Sequence, residues 1–178
     1  MTHIHAIELF LYVLATLLFF GFLPYLFFEE RRLTKHIYGK LCLPSWTPPM
    51  WAFTVIWLIV YVIEAVAYTI VRLRGEWTGT HLLWGLILFW ILQVFLMLWT
   101  ITFRRSLGWS LLICIIALAL AGVVTWLFWV VDIVAGVLML IVAVWLLFAT
   151  ILAIVVWWMN WECDVPTICR TYVKITQC

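Results

Sequence analysis

The stretch Ile133–Trp161, IVAGVLMLIVAVWLLFATILAIVVWWMNW, runs for 29 residues without an Asp, Glu, Lys or Arg. About 20 apolar residues in a helix cross the hydrocarbon of a bilayer, so this stretch spans it with a turn or two left over. Peptide groups in lipid must bond within the protein, which allows only helices or closed barrels. The run lacks the strict polar/apolar alternation of a barrel strand, and a helix is the reading that survives. Asp132, directly before it, is a natural N-cap. Working back towards the N-terminus, uncharged runs cover Ser106–Val131 (26 residues), Trp77–Phe103 (27), Leu41–Ile63 (23) and Leu9–Phe28 (20). The sequence therefore predicts an all-α integral membrane protein, a single five-helix bundle with helices at 6–28, 49–71, 81–103, 109–131 and 133–159. A loop at 29–48 and a tail at 160–178 complete it. The break at Asp132 is so short that the last two helices must be antiparallel neighbours.

Composition agrees with this reading. Of the 178 residues, 69% are apolar, only 10% are charged and 14 are Trp. A soluble domain keeps about a quarter of its residues charged, so that class is excluded. The loops are too small for a soluble catalytic domain, and a net charge of +2 does not suit a nucleic-acid partner, which needs an array of basic side chains. The first apolar run follows MTHIHAIE, without Lys or Arg, and contains Pro24 and bulky aromatics; it is expected to be a retained helix, not a cleaved leader. If the helices alternate in direction, eight basic residues share the face of the C-terminus: Arg31, Arg32, Lys35, Lys40, Arg104, Arg105, Arg170 and Lys174. Only Arg72 and Arg74 lie opposite. The positive-inside rule then makes the C-terminus cytoplasmic. Five cysteines without a CxxC pair predict neither a disulfide framework nor a zinc site. Cys42, Cys163, Cys169 and Cys178 would be free or lipidated thiols in a reducing compartment, and Cys114 a small buried hydrophobe.

The second helix carries the most information. Phe53, Trp57, Tyr61, Glu64 and Tyr68 fall on one face of a 3.6-residue helix. Glu64 lies roughly 22 Å from Pro49 along the axis, so its carboxyl should turn inward to a cavity, a ligand or another helix. Gln93 on the third helix is a conceivable partner. Two readings stand side by side: a polar point in a ligand pocket or proton path, and a protonated Glu that only joins helices. Trp77, Trp109, Trp158 and Trp161 lie at predicted helix ends and read as interfacial anchors. Trp46, Trp51, Trp57 and Trp145 flank the double proline or sit within spans, where flat rings suit stacking on a flat apolar ligand. Small residues recur at four-residue spacing, Ala117, Ala121 and Thr125 on the fourth helix and Ala149 and Ala153 on the fifth. They serve either packing inside the bundle or a homodimer seam. No catalytic or metal-binding constellation is recognisable; His3 and His5 belong to a terminus.

HIYGKLCLPSWTPPMWAFTVIWLIVY resembles the signature of the translocator protein family (TspO, the peripheral benzodiazepine receptor family). Tyr38, Leu41, Pro44, Trp46, Pro48, Pro49, Phe53, Trp57 and Tyr61 match it. VWLLFATILAIVVWWMN is similar to that family's fifth helix through Trp145, Phe148, Ala149, Thr150, Leu152, Trp157 and Asn160. Gln93 matches the glutamine that begins a family QxxxNxxW pattern. The resemblance implies a compact, often dimeric five-helix protein whose pocket, beneath the first loop, takes porphyrin or haem, benzodiazepine-type drugs or sterol. No cofactor is required. The implied pocket residues are Trp46, Pro48, Trp51, Phe53, Trp57 and Tyr61, with Trp145, Phe148 and Ala149 from the fifth helix; Gln93 adds a polar point, as does Glu64, which the helix stripe rather than the resemblance provides, since the family usually has an apolar residue there. The implied membrane is the mitochondrial outer membrane in a eukaryote and the plasma membrane in a bacterium.

This chain also departs from the pattern. Met97 or Leu96 replaces the third-helix Asn, and Thr100-Ile101 the double proline after it. Ile141-Val142 replaces a Pro-Tyr pair, Ala153 an Asn, and Leu43 the usual Lys. The cholesterol-recognition pattern is missing at Ile154-Val155-Val156, and Trp158 replaces its Arg. The expected function is binding of a flat apolar ligand between Trp51 and Trp145, in the service of tetrapyrrole or lipid transport. The alternatives are light-dependent porphyrin breakdown and a structural membrane protein that has lost its ligand.

Overall fold

The computed structural model describes residues 3–27, 41–74, 79–103 and 105–161. Loop residues 28–40 and the tail beyond Trp161, with its three cysteines, lie outside the described residues, as does Trp77. Among those described, five helices follow one another: α1 (His3–Phe27), α2 (Met50–Arg74), α3 (Thr80–Thr102), α4 (Leu107–Val131) and α5 (Ile133–Met159). Four of them, α2 to α5, are long and apolar enough to cross a membrane, and the protein is a multi-pass membrane protein. α2 runs on to Arg74, past the end expected at 71, because basic side chains at a helix C-terminus complement its dipole.

Each helix begins where the local chemistry starts it. Pro49 lends its carbonyl to the N–H groups of Ala52 (2.9 Å) and Phe53 (3.3 Å) at the head of α2, where prolines forfeit no helical bond. Asp132 alone separates α4 from α5. Its N–H closes α4 on the Phe128 carbonyl (2.8 Å), while its Oδ1 accepts from Val134 N (2.9 Å) and Ala135 N (3.1 Å). Its Oδ2 accepts from Arg74 Nη1, tying the end of α2 to this turn. Burial would raise the Asp132 carboxyl, but the Ala135 N–H, the Arg74 guanidinium and the Val134 N–H outweigh it and hold the group below the usual aspartate range.

The helices form a ring in which α1 touches α2 and α3, α2 touches α5, and α5 and α3 both touch α4. Lipid tails are as apolar as leucine, so close packing rather than water exclusion holds such a ring. Phe89 and Phe128 stack at its centre, 5.9 Å apart and fully buried. Ala117 and Ala121 are buried inside the bundle, where their small size lets backbones approach. Gly136 permits the closest approach, since a Cβ there would stand 2.6 Å from Trp129 Cα.

Outward-facing Trp side chains mark two levels. Trp109 (65% exposed) and Trp126 (58%) sit near opposite ends of α4, about 26 Å apart at 1.5 Å per residue. That separation suits aromatic belts on the two faces of a bilayer.

Two predictions concern the α4–α5 joint. Gly136→Ala should lower the thermal midpoint in detergent by the equivalent of about 1–3 kcal/mol through overpacking. Gly122→Ala, with nothing within 4 Å, should leave it unchanged or raise it slightly. Asp132→Ala should cost about 1 kcal/mol as a lost cap, and Asp132→Asn less, because the amide oxygen still caps and an exposed ion pair contributes little. A carboxyl lowered on folding contributes stability that is present above its ordinary value of 3.8 and lost as pH falls through the folded value. The gap between wild type and Asp132→Asn should therefore close on acidification below that point, as read by pH-dependent melting.

Candidate functional site: an aromatic cleft beneath the first loop

The described part of the first loop, Leu41–Pro49, folds over one end of the ring. Thr47 turns it back by bonding the Pro44 carbonyl through both its N–H (2.9 Å) and its hydroxyl (2.7 Å). Leu41, 7% exposed, packs with Leu107, Leu152 and Val156. Beneath this roof lies a cleft with about 470 Å³ of empty space, counting its open mouth. Leu43 and Thr47 line it from above, Phe53 from α2, Trp99 from α3, Ser110 from α4, and Ala149 and Ala153 from α5. The alanine pair leaves room that larger side chains would fill.

Aromatic rings surround the cleft in two connected groups. Trp46 meets Phe148 edge-on (5.9 Å), Phe148 stacks on Trp145 (5.3 Å, 25°), and Trp145 meets Phe53 edge-on (5.6 Å). On the other side Tyr61 lies against Trp57 (5.8 Å), Trp57 against Trp99 (6.1 Å), and Trp99 against Phe103 (6.2 Å). Trp99 Nε1 and Trp145 Nε1 are both buried without a hydrogen-bond acceptor among the described residues. A buried N–H without a partner forfeits about 1–3 kcal/mol of solvation, which a ligand acceptor would recover.

Deeper in the ring, Gln93 Nε2 donates to Glu64 Oε1 at 3.2 Å, with both side chains almost fully buried. One turn further from the loop, Trp90 Nε1 donates to the Tyr68 hydroxyl at 3.3 Å. These bonds cross the interior between α2 and α3, whose backbones barely touch. They close the bundle below the aromatic rings. Glu64 Oε2 has no hydrogen-bond partner among the described residues.

The residues expected from sequence are distributed unevenly over this geometry. Phe53 and Ala149 line the cleft, and Trp46, Trp57, Tyr61, Trp145 and Phe148 form its aromatic surround. Pro48 is half-buried in the roof. Glu64 and Gln93 form the deeper pair. Trp51 is 70% exposed and points away from the cleft. Trp99, Phe103, Leu107 and Ser110 were not foreseen. Their only signal was proximity to the third and fourth helix ends that share the loop's face.

The family model described as "TspO/MBR family" matches residues 12–159. The chain belongs to the TspO/MBR family. A relative, "Protein CrtK" of Rhodobacter capsulatus, is 30% identical over 127 residues, covering 69% of this chain and 78% of the relative. The region matched by the family model contains the whole described cleft. Leu43 and Ala153 are cleft-lining positions, and both present apolar side chains, at the roof and on α5.

One sequence expectation is corrected. Cys42 is disulfide-bonded rather than a free thiol, and the cysteine it pairs with lies outside the described residues. Cys114 is free and hydrogen-bonds Thr150 at 3.3 Å. Cysteine spacing could not foresee this, because bridging depends on spatial approach; the fold docks Cys42 on Asn160, just ahead of the segment that carries Cys163, Cys169 and Cys178.

The Glu64–Gln93 pair yields a prediction. Gln93→Leu leaves both Glu64 oxygens without a partner among the described residues and should destabilise by about 1–3 kcal/mol, whereas Glu64→Leu combined with Gln93→Leu should recover most of that loss. Thermal unfolding of the three proteins in one detergent checks it.

Proposed function

We propose that this family member binds a flat apolar molecule with hydrogen-bond-accepting edges, a tetrapyrrole such as protoporphyrin IX being the first choice. The observation that carries the reading is the pair of indole N–H groups without an acceptor among the described residues, Trp99 Nε1 and Trp145 Nε1, beside a mostly apolar aromatic cleft. Rings supply stacking area and two donors fix orientation, the usual economy of a small-molecule site. The donor geometry favours carbonyl or carboxylate groups over cations. A macrocycle cannot enter so narrow a cleft while the roof stays in place, so binding includes a movement of Leu41–Thr47. Sterol and drug-like ligands fit the same apolar walls, and lipid or tetrapyrrole transport is the role that such binding serves.

The distribution of basic residues supports a roof on the cytoplasmic face, and the family likeness supports a plasma membrane in a bacterium or the mitochondrial outer membrane in a eukaryote. The Cys42 disulfide lies on this face, so a cytoplasmic placement requires that it be reduced in the cell.

Quenching of tryptophan fluorescence by protoporphyrin IX in the purified protein tests the site. Trp99→Phe and Trp145→Phe keep the ring and lose the donor, and each should weaken binding about three- to tenfold. Trp51→Phe is the discriminating variant. A loss there equal to that at Trp145, with Trp99→Phe unaffected, would move the ligand to the outer face of α2 and overturn the assignment.

A further inference from the structure

We infer that Asn160 is the latch of the cleft roof, and that ligand exchange requires its pairing with Cys42 to open. This rests on the reading that the cleft binds a ligand. Asn160 ends α5 and is only 6% exposed. Its backbone N–H bonds the carbonyls of Val156 (3.1 Å) and Trp157 (3.2 Å), so the side chain stands on a rigid helix end. The carboxamide then grips the loop by its backbone. Oδ1 accepts from the Cys42 N–H at 3.0 Å, and Nδ2 donates to the Cys42 carbonyl at 2.9 Å and to the Val156 carbonyl at 2.8 Å. Both amide hydrogens and the amide oxygen are thereby used, across 118 positions of sequence.

The position of this grip gives it a role. Cys42 lies between Leu41, which seals against Leu107, Leu152 and Val156, and Leu43, which lines the cleft. The other described polar bonds of Leu41–Thr47, those of Thr47 to Pro44, stay within the roof, and Pro49 joins it to the head of α2 as the hinge. Asn160 thus supplies the described hydrogen bonds between Leu41–Thr47 and the bundle; the Cys42 disulfide is a separate, reducible tie, and the described contacts of Leu41, Leu43 and Trp46 are apolar surfaces able to slide. Such a joint has two discrete states, paired and open, which is what a gate needs. Asn160 is absent from the cleft lining, and it acts on the ligand through the roof as a positioning residue.

The test uses the full chain in detergent with reductant, so that the Cys42 disulfide does not hold the loop by itself. A Glu162→Gln background removes the nearest other carboxyl in sequence. Asn160→Ala should raise the association and dissociation rates of protoporphyrin IX together by about tenfold, in stopped-flow quenching, while the dissociation constant stays within about twofold. Without ligand, amide exchange over Leu41–Thr47 should accelerate by a similar factor. Asn160→Asp separates a latch from a fold defect. As a carboxylate it sets a negative oxygen against the Cys42 and Val156 carbonyls, and on protonation it regains a donor. Its exchange rate relative to wild type at the same pH should be high at alkaline pH and fall towards that of wild type on acidification. The described partners of this side chain, a peptide group and a carbonyl, do not titrate. A lower thermal midpoint with unchanged rates overturns the latch, as does faster dissociation alone or a pH-independent Asn160→Asp. If wild type shows no saturable quenching, the ligand reading fails and the exchange measurements alone decide the latch.

Discussion

A peptide group that enters hydrocarbon must find its hydrogen-bond partners inside its own helix. That constraint uses up the backbone of α2 to α5, and only side chains are left to say how the helices meet. Polar side chains are rare in this protein, and among the described residues five hydrogen-bonded pairs join separate elements: Asn160 to Cys42, Arg74 to Asp132, Trp90 to Tyr68, Gln93 to Glu64 and Cys114 to Thr150. Each is set among apolar contacts that by themselves specify little. Two of them, at Asp132 and Asn160, sit at opposite ends of α5 and tie it to α2 and to the first loop.

The bundle is consequently two different structures stacked along one axis. Near Asp132 it is dense, with Phe89 on Phe128, Gly136 against Trp129, and the Tyr68–Trp90 bond across the middle. Beyond the Glu64–Gln93 bond, towards the loop, Ala149 and Ala153 leave space and aromatic rings stand around it. Dense packing at one end keeps the walls at fixed separation, and a cleft at the other needs such walls. The stripe of small residues therefore acts in two ways: on α4 it brings backbones together, and on α5 it makes room.

Much of this could be read from the chain itself. The Phe53–Trp57–Tyr61–Glu64–Tyr68 stripe placed aromatic rings and a carboxyl on one helix face by arithmetic alone. The double proline located the head of α2, and Asp132 the turn between α4 and α5. Trp51 shows where that arithmetic stops. It flanks the same double proline as Pro48, yet it faces outward, while Trp145 on another helix turns in. Trp99 shows the converse: nothing in its surroundings on α3 distinguishes it from Trp84 or Trp90, and its place beside the cleft follows from which face α3 presents to α2 and α4. Cys42 was misread for a related reason, since thiol pairing follows proximity in space rather than parity in a count.

By itself, the sequence determined that the chain crosses a membrane repeatedly as helices, where those helices start and stop, and which family it belongs to. These depend on run length, end chemistry and local motif, which are properties of neighbouring residues. Only the tertiary structure decided which faces look inward, that Glu64 and Gln93 meet, and that Asn160 holds Cys42. In water, the polar side of a helix announces its outer face. In lipid both sides of a helix are apolar, so the pattern carries almost no signal of inside and outside, and packing has to supply it.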